Sequence, residues 1–254
     1  MSLPGSSSER LRLDELLVQR GLFASRSRAR DAIARGAVTV ADKVITKPGQ
    51  LTGQDAAIVV DDPAQRYVSR AALKLIAGLD AFGFDPKGAL AVDIGASTGG
   101  FTQVLLERGA AHVVAVDVGH GQIDTSLAAD VRVTNLEKLN ARELTADHLG
   151  AEMPDFVVSD VSFISLKLAL PPALGLALPG AKCVLLVKPQ FEAGRAAIGK
   201  GGILRHPAMG PKIADELAAW LETQPGWRSL GIAPSPIEGG DGNNEFLLGG
   251  VKDR

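Results

Sequence analysis

From Arg66 onward, apolar runs of strand length alternate with amphipathic helical stretches, and that alternation leaves few architectures open. Strands are expected at 90–95, 112–117, 130–134, 155–160, 182–188, 227–233 and 245–251. Strands that take turns with helices pack as a mostly parallel sheet covered on both faces. The expected class is therefore α/β, a doubly wound, Rossmann-like, seven-stranded sheet. Such sheets bind ligands outside the carboxyl ends of their strands, where Asp93, Asp117, Asp160 and Lys188 all fall.

One junction is more informative than the rest. Ala91-Val-Asp-Ile-Gly-Ala-Ser-Thr-Gly-Gly-Phe101 reads as a strand, a small-residue turn and a helix start, and His112-Val-Val-Ala-Val-Asp117 reads as a second strand ending in a carboxylate. Small residues let a ligand approach the backbone, and a carboxylate at a strand end can accept both hydroxyls of a ribose. A nucleoside cofactor is the natural occupant, although a mere tight turn would use similar residues. The glycine spacing departs from the dinucleotide fingerprint, because Ser97 stands where its second glycine belongs. Asp93 suits a cationic amino-acid head group better than a pyrophosphate. Asp93-x-Gly95-x-Ser97-x-Gly99 resembles motif I of S-adenosylmethionine-dependent methyltransferases, with Ser in place of the middle Gly.

The 254 residues are 46% hydrophobic with a formal net charge of −2, as expected of a soluble globule. The single cysteine, Cys183, rules out an intrachain disulfide and fits a reducing cytoplasm. The four histidines show no metal-ligand spacing. No apolar leader opens the sequence, and the most apolar later stretch, Leu168 to Val187, is interrupted by Pro171, Pro172, Pro179 and Lys182, so a membrane span is not expected.

The near-neutral total hides an asymmetry. Arg10 to Lys47 holds nine Lys and Arg against Asp14, Glu15, Asp31 and Asp42. Leu11, Leu13, Leu16, Leu17 and Val18 outline a helix ending near Gly21. Ser25 is an N-cap candidate for a second helix ending at Gly36, and short strands follow around 38–40 and 57–60. Arg26 and Arg30 share one face of the second helix, with Ala29 and Ile33 on the other. Such a face suits phosphate oxygens, though a merely solvated face would look the same. Pro63 and the polar residues around it mark a linker. The expected organisation is a flexible stretch 1–9, a small α+β domain 10–62, a linker 63–66 and a large domain 67–254.

In the large domain, Asp160 closes Phe156-Val-Val-Ser-Asp160, Lys188 closes Val184-Leu-Leu-Val-Lys188, and Glu245 precedes Phe246-Leu-Leu248. Lys and Glu are poor strand-interior residues, so tips over a cleft make physical sense. Lys74 differs. Val68, Ala72, Leu75, Ile76 and Leu79 form one helical stripe, and periodicity alone makes the opposed Lys74 a solvated lysine.

Two resemblances bear on these residues. Arg12-Leu-Asp-Glu-Leu-Leu-x-x-Arg20-Gly, Ser25-Arg26-x-x-Ala29, Gly36-x-Val38-x-Val40 and Lys47-Pro48-Gly49 resemble the alpha-L RNA-binding domain, with Ala41-Asp42-Lys43 where Asn-Gly is usual. Tyr67-Val-Ser-Arg70-Ala-Ala-Leu-Lys74, the turn after Asp93, Ser159-Asp160-Val-Ser-Phe-Ile-Ser-Leu166, Lys188-Pro-Gln-Phe-Glu192 and Gly242-Asn-Asn-Glu245-Phe resemble the TlyA family, whose catalytic domain is similar to FtsJ-type RNA methyltransferases.

The resemblance implies an S-adenosylmethionine-dependent transfer of a methyl group to a ribose 2′-hydroxyl, of cytidine in ribosomal RNA, with ribosomal RNA or subunits as partner and no metal. It implies a catalytic tetrad on Lys74, Asp160, Lys188 and Glu245. The cofactor would be held by Asp93, Gly95, Ser97, Gly99, Gly100 and Asp117, with Glu137 and Asn140 from a Glu-x-x-Asn-x-Arg pattern. Arg12, Arg20, Ser25, Arg26 and Arg30 would hold RNA. The family's historical haemolysin name suggests a membrane-active protein instead, and a nonenzymatic RNA-binding protein is a further alternative.

Overall fold

The computed structural model describes residues 10–150, 152–240 and 242–254, so the stretch 1–9, expected to be flexible, lies outside the described residues. The chain forms two compact units, Met1–Arg66 and Tyr67–Arg254.

The first unit runs β1 (Arg10–Arg12), α1 (Leu13–Gln19), α2 (Arg26–Ala34), β2 (Val38–Val40), β3 (Lys43–Val44), β4 (Leu51–Gly53) and β5 (Ile58–Val60). Strands β1 and β4 pair antiparallel, and β3-β2-β5 forms a three-stranded sheet. Leu13, Leu17, Phe23, Ala29, Ala32, Ile33, Val38, Val40 and Ile45 make its core. Leu11 belongs to β1, opposite Thr52, rather than to the helix that its spacing from Leu13 and Leu17 predicts. Its backbone is claimed by strand pairing before the first helical turn starts. The β2–β3 turn places Ala41 (φ 45°) and Asp42 (φ 64°) both in the left-handed region, where Asn-Gly would be easier. The residues expected as a linker pack on this unit: Ala64 is buried, and Gln65 Nε2 donates to the Leu22 carbonyl at 2.8 Å.

The second unit runs α3 (Ala72–Phe82), β6 (Leu90–Ile94), α4 (Gly100–Glu107), β7 (His112–Asp117), α5 (Thr125–Ala128), β8 (Val133–Glu137), β9 (Phe156–Ser159), α6 (Leu166–Ala169), α7 (Pro171–Leu176), β10 (Lys182–Val187), α8 (Pro189–Glu192), α9 (Met209–Glu222), β11 (Trp227–Pro234) and β12 (Phe246–Lys252). Its seven-stranded sheet has the order β11-β12-β10-β9-β6-β7-β8. Strands β8, β7, β6, β9 and β10 are parallel, and β12 runs antiparallel to both of its neighbours. The third strand begins at Val133 rather than at residue 130. The carboxylate of Asp130 folds the chain back by accepting from the Arg132 backbone N–H at 2.9 Å, leaving Val131 in solvent.

The period of two along each strand sorts residues between two cores. Val92, Ile94, Val157, Leu185 and Val187 face α6, α7 and α9. Ala91, Phe156, Val158, Val184, Leu186 and Leu247 face α3 and α4. Counting on by twos puts Asp93, Asp160, Lys188 and Glu245 on the α3–α4 face. Helix α3 approaches that face closely, because a Cβ on Gly78 would lie 2.6 Å from Val184 Cγ1. Lys74 stands one helical turn before Gly78 and shares its side of the helix. Strand order reverses between β6 and β9, which opens a crevice above their carboxyl ends.

Candidate active site

Three adjacent strands bring the charged tips together. In the β10–β12 register Val187 faces Phe246, so Lys188 and Glu245 leave the sheet side by side. In the β10–β9 register Leu185 faces Ser159, which sets Asp160 one strand further over. Lys188 Nζ lies 2.6 Å from Asp160 Oδ1 and donates to Ser162 Oγ at 2.7 Å. The ion pair is close, though its angle is poor for a hydrogen bond.

Lys74 Nζ meets Glu245 Oε2 at 2.5 Å, and both side chains are almost wholly buried. This corrects the solvated lysine that helical periodicity gives. The side of α3 that carries Lys74 and Gly78 is pressed onto β10 and β12, so Leu75, Leu79 and Lys74 are all enclosed. The four residues thus form two lysine–carboxylate pairs on one face of one sheet edge.

Beside them lies the turn after β6. Gly95 has φ 86°, and a Cβ there would come within 3.0 Å of the Asp160 backbone, so only glycine lets the turn and the β9 tip close together. Ser97 adopts φ 48° and donates its backbone N–H to Asp117 Oδ2 at 2.8 Å. Gly99 precedes α4 and Gly100 opens it. Asp117 Oδ1 accepts from Gly119 N at 2.7 Å, so backbone amides fix both of its oxygens at the end of β7. Asp93 is fully buried; its Oδ2 accepts from Thr102 Oγ1 at 2.7 Å and its Oδ1 has no partner. Burial, reinforced by the Asp160 and Asp117 charges against the Thr102 hydrogen bond, pushes the Asp93 carboxyl up to about 7.

Among the described residues the buried side-chain oxygens with neither a hydrogen-bond nor an ion-pair partner sit on Asp93, Ser159 and Gln190, all at or next to the tips of β6, β9 and β10. Buried polar atoms are normally satisfied, so this concentration marks where a polar ligand belongs. An unpaired carboxylate oxygen at Asp93, a glycine-lined turn and a fixed carboxylate at Asp117 fit the amino, backbone-facing and ribose parts of S-adenosylmethionine.

Glu137 and Asn140 have visible local work. Glu137 accepts from Gly121 N, Gln122 N and His120 Nδ1, which order the loop after β7. Those bonds, the Gly121 amide first, outweigh partial desolvation and hold its carboxyl down at about 2. Asn140 caps the turn at Ala141–Glu143 through the Arg142 amide.

Sequence reasoning passed over three supporting residues. Ser162 touches Lys188. Thr102 anchors Asp93 from a buried position that helix periodicity does not distinguish. Glu192 ties down the loop after β9 by accepting from Ser165 Oγ at 2.5 Å and from Leu166 N at 2.8 Å. Ser162 and Glu192 lie inside the motifs that follow Asp160 and Lys188, and that placement was the available signal.

In the first unit, the residues expected to hold RNA are partly occupied within it. Asp14, buried between them, accepts from Arg12 Nε and Arg26 Nη2, both at 3.0 Å, and Arg26 also pairs with Glu15. Burial works against the Asp14 charge, but the two guanidinium groups outweigh it and hold the carboxyl below its usual range. Arg20 donates to the Ala56 and Gln54 carbonyls, and Ser25 Oγ caps α2 by accepting from Arg28 N at 3.3 Å. Arg30 is exposed, with no side-chain partner among the described residues.

Residues 67–252 match the FtsJ-like methyltransferase family and residues 11–53 the S4 domain. The chain is 45% identical over 243 residues to the 16S/23S rRNA (cytidine-2'-O)-methyltransferase TlyA of Mycobacterium tuberculosis, covering 95% of this chain and 90% of that one. It is 39% identical to hemolysin A of Brachyspira hyodysenteriae, covering 93% and 98%. A solved hemolysin-named protein of Streptococcus thermophilus superposes with a TM-score of 0.73 at 38% identity, covering 97% of this chain and 90% of that one. Among the described residues no helix is long and apolar enough to cross a membrane.

Proposed function

The chain belongs to the FtsJ-like methyltransferase family, and from that premise we propose that it methylates a ribose 2′-hydroxyl of cytidine in ribosomal RNA, with S-adenosylmethionine as methyl donor. The observation that carries the reading is the pair of buried lysine–carboxylate contacts, Lys188–Asp160 at 2.6 Å and Lys74–Glu245 at 2.5 Å, beside the glycine turn of β6.

When bound, S-adenosylmethionine supplies an already activated methyl group on a sulfonium. The protein's task is to align a weakly nucleophilic hydroxyl and to remove its proton. Lys188 is the group assigned to take that proton, with Asp160 and Ser162 fixing its Nζ. Lys74, held by Glu245, orients the hydroxyl oxygen. Asp93 faces the cofactor's ammonium, Asp117 its ribose, and Gly95, Ser97, Gly99 and Gly100 let it approach the backbone. Glu137 and Asn140 shape the loops around it. In the first unit Arg30 presents a free guanidinium to phosphate, while Arg12, Arg20, Ser25 and Arg26 keep its fold and complete that surface.

The test is incubation of the purified chain and methyl-labelled cofactor with unmodified ribosomal subunits and free ribosomal RNAs. Label on a cytidine ribose, with alkali resistance at the linkage that follows it, is expected. Label on a base, or none on any RNA, would refute the reading.

Asp93 adds a pH signature. Its folded-state value of about 7 lies above the ordinary carboxyl range, so its stabilising contribution is complete in acid and is lost as pH rises through about 7. Above that point the ligand-free fold carries a buried charge that a cofactor ammonium would neutralise. Affinity for S-adenosylmethionine should rise about tenfold per pH unit below that value and level off above it. Asp93→Asn should bind more weakly, with a flat profile, and should melt higher than the unaltered protein at pH 8 but not at pH 4. Calorimetric titration and thermal melts across that range check both.

A further inference from the structure

The second unit is acidic as a whole, with seventeen Lys and Arg against twenty-one Asp and Glu. A polyanion reaching its strand tips meets net repulsion unless positive charge is concentrated locally. One segment provides that concentration. Between Glu192 and Asp215 there is no acid, and the segment carries Arg195, Lys200, Arg205, Lys212 and His206. All five are exposed, and none has a side-chain partner among the described residues. Three surface arginines elsewhere in the unit are engaged: Arg108 with Asp80, Arg132 with Asp130 and Arg228 with Asp253.

The segment is also held in place. Ile198 and Leu204 form an antiparallel bridge, Gly199 N donates to Ile203 O at 2.7 Å, and Arg205 N donates to Ala197 O at 2.9 Å. The buried amide of Asn243 straps this lobe from outside. Its Oδ1 accepts from Leu204 N at 2.9 Å, and its Nδ2 donates to Gly202 O at 3.0 Å. Asn243 lies two residues before Glu245, and the lobe begins soon after Lys188 and α8. The lobe is therefore tied to strand tips of the candidate active site by the chain from Lys188 and by Asn243 at Gly202 and Leu204. Glu238 lines the groove beside Ile203 and Leu204 and marks an edge of the cationic surface.

We infer that this lobe, Arg195 to Lys212, is a phosphate-gripping surface of the catalytic unit, which engages the RNA backbone next to the nucleotide being methylated. The inference rests on the RNA reading above and adds the place where the acidic unit meets its polyanionic substrate. The arginines suit bidentate contact with phosphate oxygens and the lysines act as point charges. Contacts of this kind set affinity and register without reading sequence.

The test uses the full chain with Arg195, Lys200, Arg205 and Lys212 all changed to Gln. RNA affinity at ~0.1 M salt should fall about 10- to 100-fold, and the slope of log affinity against log salt should shrink by about 2 to 3. Cofactor affinity and melting temperature should hold, since no internal contact is lost. Arg228→Gln serves as the control and should leave the slope unchanged. Single changes Lys200→Glu and Arg205→Glu should each lower affinity and slope, which keeps the question answerable if the fourfold variant folds poorly. Unaltered affinity and slope in these variants would overturn the inference. So would weakened binding to subunits with unchanged binding to free RNA, which would assign the lobe to an acidic protein surface. Failure of the unaltered chain to methylate RNA would overturn the proposed reaction instead, while the binding measurement, which needs no catalysis, still decides the lobe.

Discussion

Replacing Lys188 with Met should reduce methyl transfer by about 10²- to 10⁴-fold, the range expected for loss of a positioned proton acceptor. Lys188 directs its Nζ to Asp160 and Ser162 rather than to the β6 turn, so cofactor affinity should stay within a few-fold. The more discriminating variant is Lys188→Arg. A guanidinium keeps the positive charge and can reach Asp160, but it does not give up its proton near neutrality. If Lys188 accepts the hydroxyl proton, Arg should be nearly as inactive as Met. If Lys188 only neutralises charge at the β10 tip, Arg should retain most of the activity. Single-turnover rates with saturating cofactor separate these outcomes from changes in binding, and an Arg variant within a few-fold of the unaltered rate would remove Lys188 from the role of base.

What could be read from the residues alone follows from what periodicity can register. Strands that end at or next to Asp117, Asp160 and Lys188 announce themselves because charged side chains are costly inside a buried sheet and cheap at its edge, whereas Asp93 is fully buried inside β6 and is marked by the glycine turn that follows it. The same reasoning fails for Lys74. A lysine in the middle of α3 is normally solvated, and only the tertiary approach of that helix to β10 and β12 buries it against Glu245. Gly78 was the local clue. Glycine is unfavourable inside a helix, and its presence one turn after Lys74 signals that something packs close on that side.

Charge counting in the first unit has a related blind spot. It registers nine bases between Arg10 and Lys47, but Asp14 is buried beneath Arg12 and Arg26, and Arg20 is committed to backbone carbonyls. Arg30 keeps an exposed, unengaged charge, and the cations of Arg195 to Lys212 form no ion pair among the described residues. Strand limits fail where a side chain intervenes, as Asp130 does when it turns the chain before β8.

The Lys74–Glu245 pair should separate stability from catalysis. Both side chains are buried, and their contact is 2.5 Å, so removing one partner strands the other charge in a low-dielectric site. Glu245→Ala should therefore cost about 3–5 kcal/mol, or roughly 6–20 °C in melting temperature for a unit of this size. A buried ion pair also carries a desolvation penalty, so replacing both partners with apolar groups of similar volume should recover most of that loss. Lys74→Met combined with Glu245→Leu is expected to melt within a few degrees of the unaltered protein and to bind the cofactor normally. It should nonetheless transfer methyl groups hardly at all, because the group that orients the hydroxyl is gone. Thermal melts of the two singles and the double, run beside methyl-transfer rates, give a complete cycle. Should the double variant prove both stable and active, Lys74 would be a packing residue of α3, and the chemistry would fall to Lys188, Asp160 and Ser162 alone.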